Sequence, residues 1–273
     1  MSTRPSTKYL FLIGTDIPSG HTKMLSFCSD ALSLFNENSV LFVPSAFSPE
    51  FCSKAREYIL DNEPDIISKY SSDKRGLVCE KLEGVNHIKY FEYPLHFDSL
   101  FFGQFLTSTI LNTASVLLQD DVRFVSAEIH SRFPLASEIP PHQDNAYYGL
   151  VDGKAVTFYI ALDSQVPNEG GLQYLNNPIN NELAHITSSK PGFSLEIANK
   201  AELSTFSAFL PTYSPGDCTI HHSRSIHFAS PVPQTSHRSL VFRFSFYSAS
   251  SFIIPGHLEK YRQAIDLNRS NLL

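Results

Sequence analysis

The sequence predicts an α+β chain, mainly β, whose core is a β-sandwich or barrel. Three observations predict it. Helical periodicity is concentrated in the first half, short strands fill the second half, and nowhere do strands and helices alternate in a βαβ rhythm or an internal repeat. The 273 residues are 42% hydrophobic and 18% charged, which suits one globular domain with terminal extensions. The expected division is an N-terminal extension over 1–34, a domain over 35–250, and a C-terminal helix within 251–273 packed on that domain.

Residues 1–25 mix Ser, Thr, Gly and Pro, and Tyr9 to Gly14 reads as a packed strand or arm. Apolar residues from Met24 to Leu34 fit a helix face over Thr22 to Phe35. Val40–Val43 is a buried strand closed by Pro44. Ser48-Pro49-Glu50 has the chemistry of a helix start: a capping hydroxyl, proline in the first turn, then an acid. That helix should run to about Leu60. Residues 61–85 are charged and contain serines, and read as a surface loop or a partly ordered segment. Phe97 to Leu118 reads as two packed helices. Strands follow at Phe124–Phe133, Val156–Leu162, Leu172–Leu175, Cys218–His222 and Ser239–Tyr247, with a terminal helix from Pro255 to Leu267. Residues 176–208 are polar and irregular, and long segments of that kind commonly carry function. Together with 61–85 they are expected to cover a site.

A net charge of −6 and a pI near 6.0 argue against a nucleic-acid footprint. The four cysteines show no C-x-x-C pair, which suggests neither a disulfide framework nor a zinc knuckle, and a reducing cytoplasmic setting. No apolar run approaches a membrane span.

The chemistry centres on Pro140-Pro141-His142-Gln143-Asp144-Asn145. On a strand, side chains alternate, so His142 and Asp144 point the same way and Gln143 the other. An imidazole and a carboxylate so placed can supply two of three ligands of a 2-His-1-carboxylate site with open metal positions. Downstream, His221, His222 and His227 fall within seven positions, and Arg238 follows. By parity Arg238 shares a face with Leu240, Phe242, Phe244 and Phe246, whereas Arg243 lies with Ser239, Val241 and Ser245. A guanidinium on an apolar face needs a carboxylate, because an unpaired buried charge is costly. Either a dicarboxylic co-substrate or an internal ion pair would supply one.

In combination these features resemble the phytanoyl-CoA dioxygenase-like branch of the Fe(II)/2-oxoglutarate oxygenases. The resemblance rests on His142-x-Asp144, Ile160-Ala161-Leu162-Asp163, Asn168-Glu169-Gly170-Gly171-Leu172, Pro215-Gly216-Asp217, His227, and Arg238 eleven positions later. It covers roughly residues 35–247. It implies a double-stranded β-helix (a cupin-like jelly roll) with flanking helices. It also implies Fe(II) on His142, Asp144 and His227, and the far carboxylate of 2-oxoglutarate on Arg238. Many relatives carry a hydroxyl residue two positions after the distal histidine. Here that residue is Ala229, so Thr157, Tyr159 or Ser230 could provide the secondary contact, with His130 as a further candidate. Asn145, Tyr147, Tyr148 and His222 are candidates for the substrate pocket, the two tyrosines more as wall than as chemistry.

The implied reaction is hydroxylation of an unactivated C–H bond of a small molecule by O2, releasing succinate and CO2. The presence of Asp144 argues for this, or for a desaturation or cyclisation outcome, over halogenation. Two rivals share the scaffold: a non-catalytic binding protein, and a differently metallated cupin-type protein using His221 or His222.

Overall fold

The computed structural model describes residues 14–16, 23–25, 29–190 and 194–270. Two antiparallel sheets stack and carry the site. The larger has six strands in the order Val40–Val43, Cys218–His222, Ala155–Ala161, Ser239–Ser248, Val122–Arg132 and Tyr90–Glu92. The smaller has four: Ser207–Phe209, Leu172–Asn176, Ile226–Ala229 and Ile139–His142.

Each face of the six-stranded sheet has its own partner. One face carries Ile129, Phe158, Ile160, Ile220 and the row Leu240, Phe242, Phe244 and Phe246. It packs on helices Ser29–Asn38, Pro49–Asp61 and Ser108–Leu118 through Phe35, Phe51, Ile59 and Ile110. The opposite face carries Tyr159, Ala161 and Val241, which pack with Leu172 and Tyr174 of the smaller sheet. Period-two alternation therefore separates a helix-side core from an inter-sheet core.

Several local signals act as expected. The Ser48 hydroxyl accepts from the Phe51 amide at 3.1 Å, and Pro49 opens the helix. Gly216 of the Pro-Gly-Asp turn has φ +94, and a Cβ there would lie 2.2 Å from the Phe47 carbonyl oxygen, so only glycine fits. The Asp217 carboxylate then accepts from the amides of Ser45 and Ser214 at 2.7 and 2.8 Å, fixing the entry to Cys218–His222.

Other expectations are corrected. Residues 61–85 are not a loop: they form helices Glu63–Ser68 and Ser72–Val78, then a hairpin of Cys79–Leu82 with Val85–Ile88. Within 176–208, His185–Thr187 pairs with Leu195–Ile197. The helix placed over Thr22 to Phe35 begins at Ser29 and runs to Asn38, and Lys23–Leu25 pairs as a strand with Gly14–Asp16. The arm expected from Tyr9 lies largely outside the described residues. Ile139–His142 is a strand despite two prolines. It lies at the edge of its sheet, where proline costs no ladder hydrogen bond. No single helix among the described residues is long and apolar enough to cross a membrane.

Candidate metal centre and cavity

His142 ends its strand, His227 lies on the neighbouring Ile226–Ala229, and the ladder sets the two directly opposite each other. Asp144 lies past the strand end, in a helical conformation at φ −58 and ψ −29 that opens the turn Asn145–Tyr148. All three side chains are buried, and their ligand atoms lie within 4.8 Å of one another. One carboxylate oxygen, Asp144 Oδ1, is 3.6 Å from His227 Nε2 and 3.9 Å from His142 Nε2. Ligand atoms ~2.1 Å from one metal sit roughly 3–3.5 Å apart, so a small closure would complete the coordination.

The surroundings fix which atoms are offered. His142 Nδ1 donates to the Pro140 carbonyl at 2.8 Å, and His227 Nδ1 donates to the Ser225 carbonyl at 3.0 Å. Each Nε2 therefore carries a lone pair toward the shared point. The other oxygen, Asp144 Oδ2, faces away. It accepts from the Tyr148 hydroxyl at 3.2 Å and the Thr157 hydroxyl at 3.4 Å, and lies 3.5 Å from His221 Nε2 and 3.8 Å from Arg243 Nη2. Burial pushes His142 down to about 3 and His227 down to about 4, so both are neutral near neutral pH. Burial alone would raise Asp144, but His227, His221 and Arg243 outweigh it and hold the carboxyl well below the usual range. Two neutral imidazoles and one carboxylate suit a divalent transition metal with open positions.

His142 and His227 line a cavity of about 430 Å³ that both sheets border, with Asp144 beside them. His130, Arg132, Tyr159 and Arg243 line its walls, and Glu80, Leu82 and Lys89 of the hairpin region border it with Leu135. The volume is that of a small-molecule site. Arg243 is held between two acids, Asp144 and Glu128, each at 3.8 Å. Glu128 is pushed down to about 2: burial opposes ionisation, but Arg243 and the hydrogen bond from His130 favour it more.

Of the residues singled out in the sequence, His142, Asp144 and His227 converge. His130 and Tyr159 line the cavity, with partners in Glu128 at 2.7 Å and Gln165 at 2.7 Å. Thr157 reaches the cavity chemistry only through Asp144 and Ser245. Tyr147 stands edge-on to His142 and donates to the Leu195 carbonyl, bracing the ligand from outside the cavity.

Four candidates are placed elsewhere. Asn145 bonds the backbone of Leu150 and the carboxylate of Glu182, closing its own turn. His222 packs on Phe35 and accepts from the Arg224 amide. The Ser230 hydroxyl is taken by Gln173. Arg238 does not line the cavity. Its guanidinium meets Glu63 at 2.7 Å, the Ile88 carbonyl at 2.9 Å and the Ser131 hydroxyl, and lies over the Phe133 ring. The internal ion pair, and not an open cation, occupies this position.

Sequence reasoning did not find Glu128, Arg132 or Arg243 as site residues, set His221 aside as an alternative ligand, and offered Tyr148 for the substrate pocket, whereas its hydroxyl supports Asp144 and Arg243. Strand parity held the signal for all three, since Glu128 and Arg132 share a face with His130, and Arg243 with Val241.

No family model matches the chain, and no curated protein matches it. Solved structures do match in fold. AviO1 from Streptomyces viridochromogenes Tue57 superposes with a TM-score of 0.62 at 16% identity, over 83% of this chain and 97% of that one. The epimerase SnoN in complex with Fe3+, alpha ketoglutarate and nogalamycin RO gives 0.63 at 16%, over 84% and 87%. EctD from S. alaskensis with 2-oxoglutarate and 5-hydroxyectoine gives 0.63 at 15%, over 93% of both chains. The fold is thus one on which iron- and 2-oxoglutarate-binding proteins are built, and this chain brings to it a His-Asp-His triad that could hold iron.

Proposed function

We propose that this chain is an Fe(II)- and 2-oxoglutarate-dependent dioxygenase of the phytanoyl-CoA dioxygenase-like kind, on a jelly-roll scaffold, acting on a C–H bond of a small molecule. The observation that carries the reading is the convergence of His142 Nε2, His227 Nε2 and Asp144 Oδ1 where the two histidines line an inter-sheet cavity. When bound, iron and 2-oxoglutarate supply oxidative decarboxylation to succinate and CO2 and the activation of O2. The protein's part is positional. Pro140 and Ser225 carbonyls orient the two imidazoles, and Tyr148, Thr157, His221 and Arg243 turn Asp144 so that one oxygen faces the metal. Sheet walls and the hairpin residues Glu80 and Leu82 bound the space in which substrate would sit.

Hydroxylation is the outcome we favour, because Asp144 leaves no ligand position for a halide. The rival with extra histidine ligands is weakened by His221, whose Nε2 addresses Asp144 Oδ2 and whose Nδ1 faces the Tyr174 hydroxyl at 3.1 Å. His222 lies outside the cavity lining. The test is metal loading under anaerobic conditions, followed by oxygen and 2-oxoglutarate with succinate as the readout. Stoichiometric Fe(II) binding with slow substrate-free succinate release is expected. A protein that binds no divalent metal, or binds Fe(II) and never turns over 2-oxoglutarate, would favour the non-catalytic alternative.

A further inference from the structure

We propose that Arg132 holds the far carboxylate of the dicarboxylic co-substrate, in place of Arg238. This rests on the function proposed above. A keto-acid end bound at the triad leaves the second carboxylate further along the same cavity, where it needs a cation. Arg238 cannot meet it, because it lies on the helix side of the sheet with Glu63. The ladder pairs Ser239 with Arg132, so Arg132 stands at the level where the last strand begins. It shares a face with His130 and Glu128, and it lines the cavity.

Two guanidiniums line this cavity, and they differ in compensation. Arg243 faces both Glu128 and Asp144. Among the described residues Arg132 has no ion pair. Its Nη2 donates to the carbonyls of Ser137 at 2.9 Å and Ser230 at 3.0 Å, and its buried Nε–H has no partner. A partly buried guanidinium held only by carbonyls attracts an anion, and a carboxylate fits its planar donors. Space is reserved for it as well. Gly170, at φ +85, lies over the group, and a Cβ there would come 3.3 Å from Arg132 Nε and 2.5 Å from Val232 Cγ2. The Gly-Gly turn thus serves to seat Arg132.

The experiment uses Mn(II)-loaded protein without oxygen and compares two ligands by calorimetry. 2-Oxoglutarate carries the far carboxylate, and 2-oxopentanoate has the same keto acid without it. Wild type is expected to prefer 2-oxoglutarate by about 10- to 100-fold, the range of a charge-assisted contact. Arg132→Gln should bind the two within about threefold, and Arg238→Met should keep the wild-type preference, again on the basis that only the charge-assisted contact is lost. Retention of the preference in Arg132→Gln, or its loss in Arg238→Met, overturns the proposal. Should Arg132→Gln fail to fold, Arg132→Lys must weaken 2-oxoglutarate alone; unchanged 2-oxoglutarate affinity overturns it equally. Equal wild-type affinity for both ligands sinks this inference and leaves the oxygenase reading standing. Binding of neither sinks both.

Discussion

Arg238→Met probes whether that guanidinium is structural. The substitution keeps the apolar stem over Phe133 but removes the bonds to Glu63, Ile88 and Ser131. Glu63 stays behind at 8% exposure, still held by the Ile88 amide at 2.7 Å and His87 at 2.9 Å. Burial alone would raise the Glu63 pKa, but Arg238, His87 and the Ile88 amide lower it below its usual value, so the carboxylate is charged near neutral pH. Removing one partner of a buried pair costs about 3–5 kcal/mol. The two side chains keep 15% and 10% of their exposure, so the low end, ~3 kcal/mol, applies. For a domain of this size that is roughly 6–12 °C in Tm. Urea unfolding of the metal-free protein measures the loss. The double variant Glu63→Gln/Arg238→Met should recover about 1–3 kcal/mol relative to the sum of the singles. Because Glu63 is depressed in the folded state, the pair's contribution is present above pH 4.5 and is lost as pH falls below it. Unchanged stability in Arg238→Met, together with lost 2-oxoglutarate binding, would refute the structural assignment and restore the open cation.

Asp144→Ala should abolish stoichiometric metal binding, read by elemental analysis, while His221→Phe should keep it because His221 addresses the far oxygen of Asp144. Tyr148→Phe removes a donor to Asp144 Oδ2 and an acceptor for Arg243, and metal affinity should fall about 10- to 100-fold with the fold intact. Away from the metal, burial, reinforced by Arg224, pushes His222 down to about 3 from an ordinary 6.5. The unfolded chain therefore takes up the proton first. Stability should be flat above pH 6.5 and fall below it at about 1.4 kcal/mol per pH unit for this group, with His222→Gln showing a shallower slope.

His142 and Asp144 were legible because they are two residues apart, although Asp144 lies in a helical conformation past the strand end and not on the strand as parity assumed. His227 was singled out from His221 and His222 by the family resemblance, and its place opposite His142 is a long-range strand pairing. The hairpin Cys79–Ile88 was not legible. Its strands are polar, and its turn is Glu83-Gly84 at φ 49 and 87 rather than one of the strong turn pairs. That hairpin contributes Glu80 and Leu82 to the cavity lining, whereas the described residues of 176–208 contribute none. The expectation that both segments cover the site therefore holds only for the first. The second braces the triad from behind: the Gln143 side chain donates to the Asn181 carbonyl and accepts from the Leu183 amide, and the Gln143 amide donates to His185 Nε2.

The misplacement of Arg238 has a more general physical cause. Parity separated the rows of Ser239–Ser248 correctly: Leu240, Phe242, Phe244 and Phe246 on one face, Val241, Arg243 and Ser245 on the other. Parity does not say which row faces the site, because both faces of this central strand are covered. The apolar row is the one that docks on helices, where nothing polar is needed. A cavity that must hold a metal and anionic ligands draws instead on the mixed row, where polar groups can be paired. In a strand covered on both faces the more polar row is therefore the better guide to the site. Applied to Val122–Arg132, the same rule selects Glu128, His130 and Arg132 over Ala127 and Ile129, and brings the uncompensated guanidinium to the cavity wall.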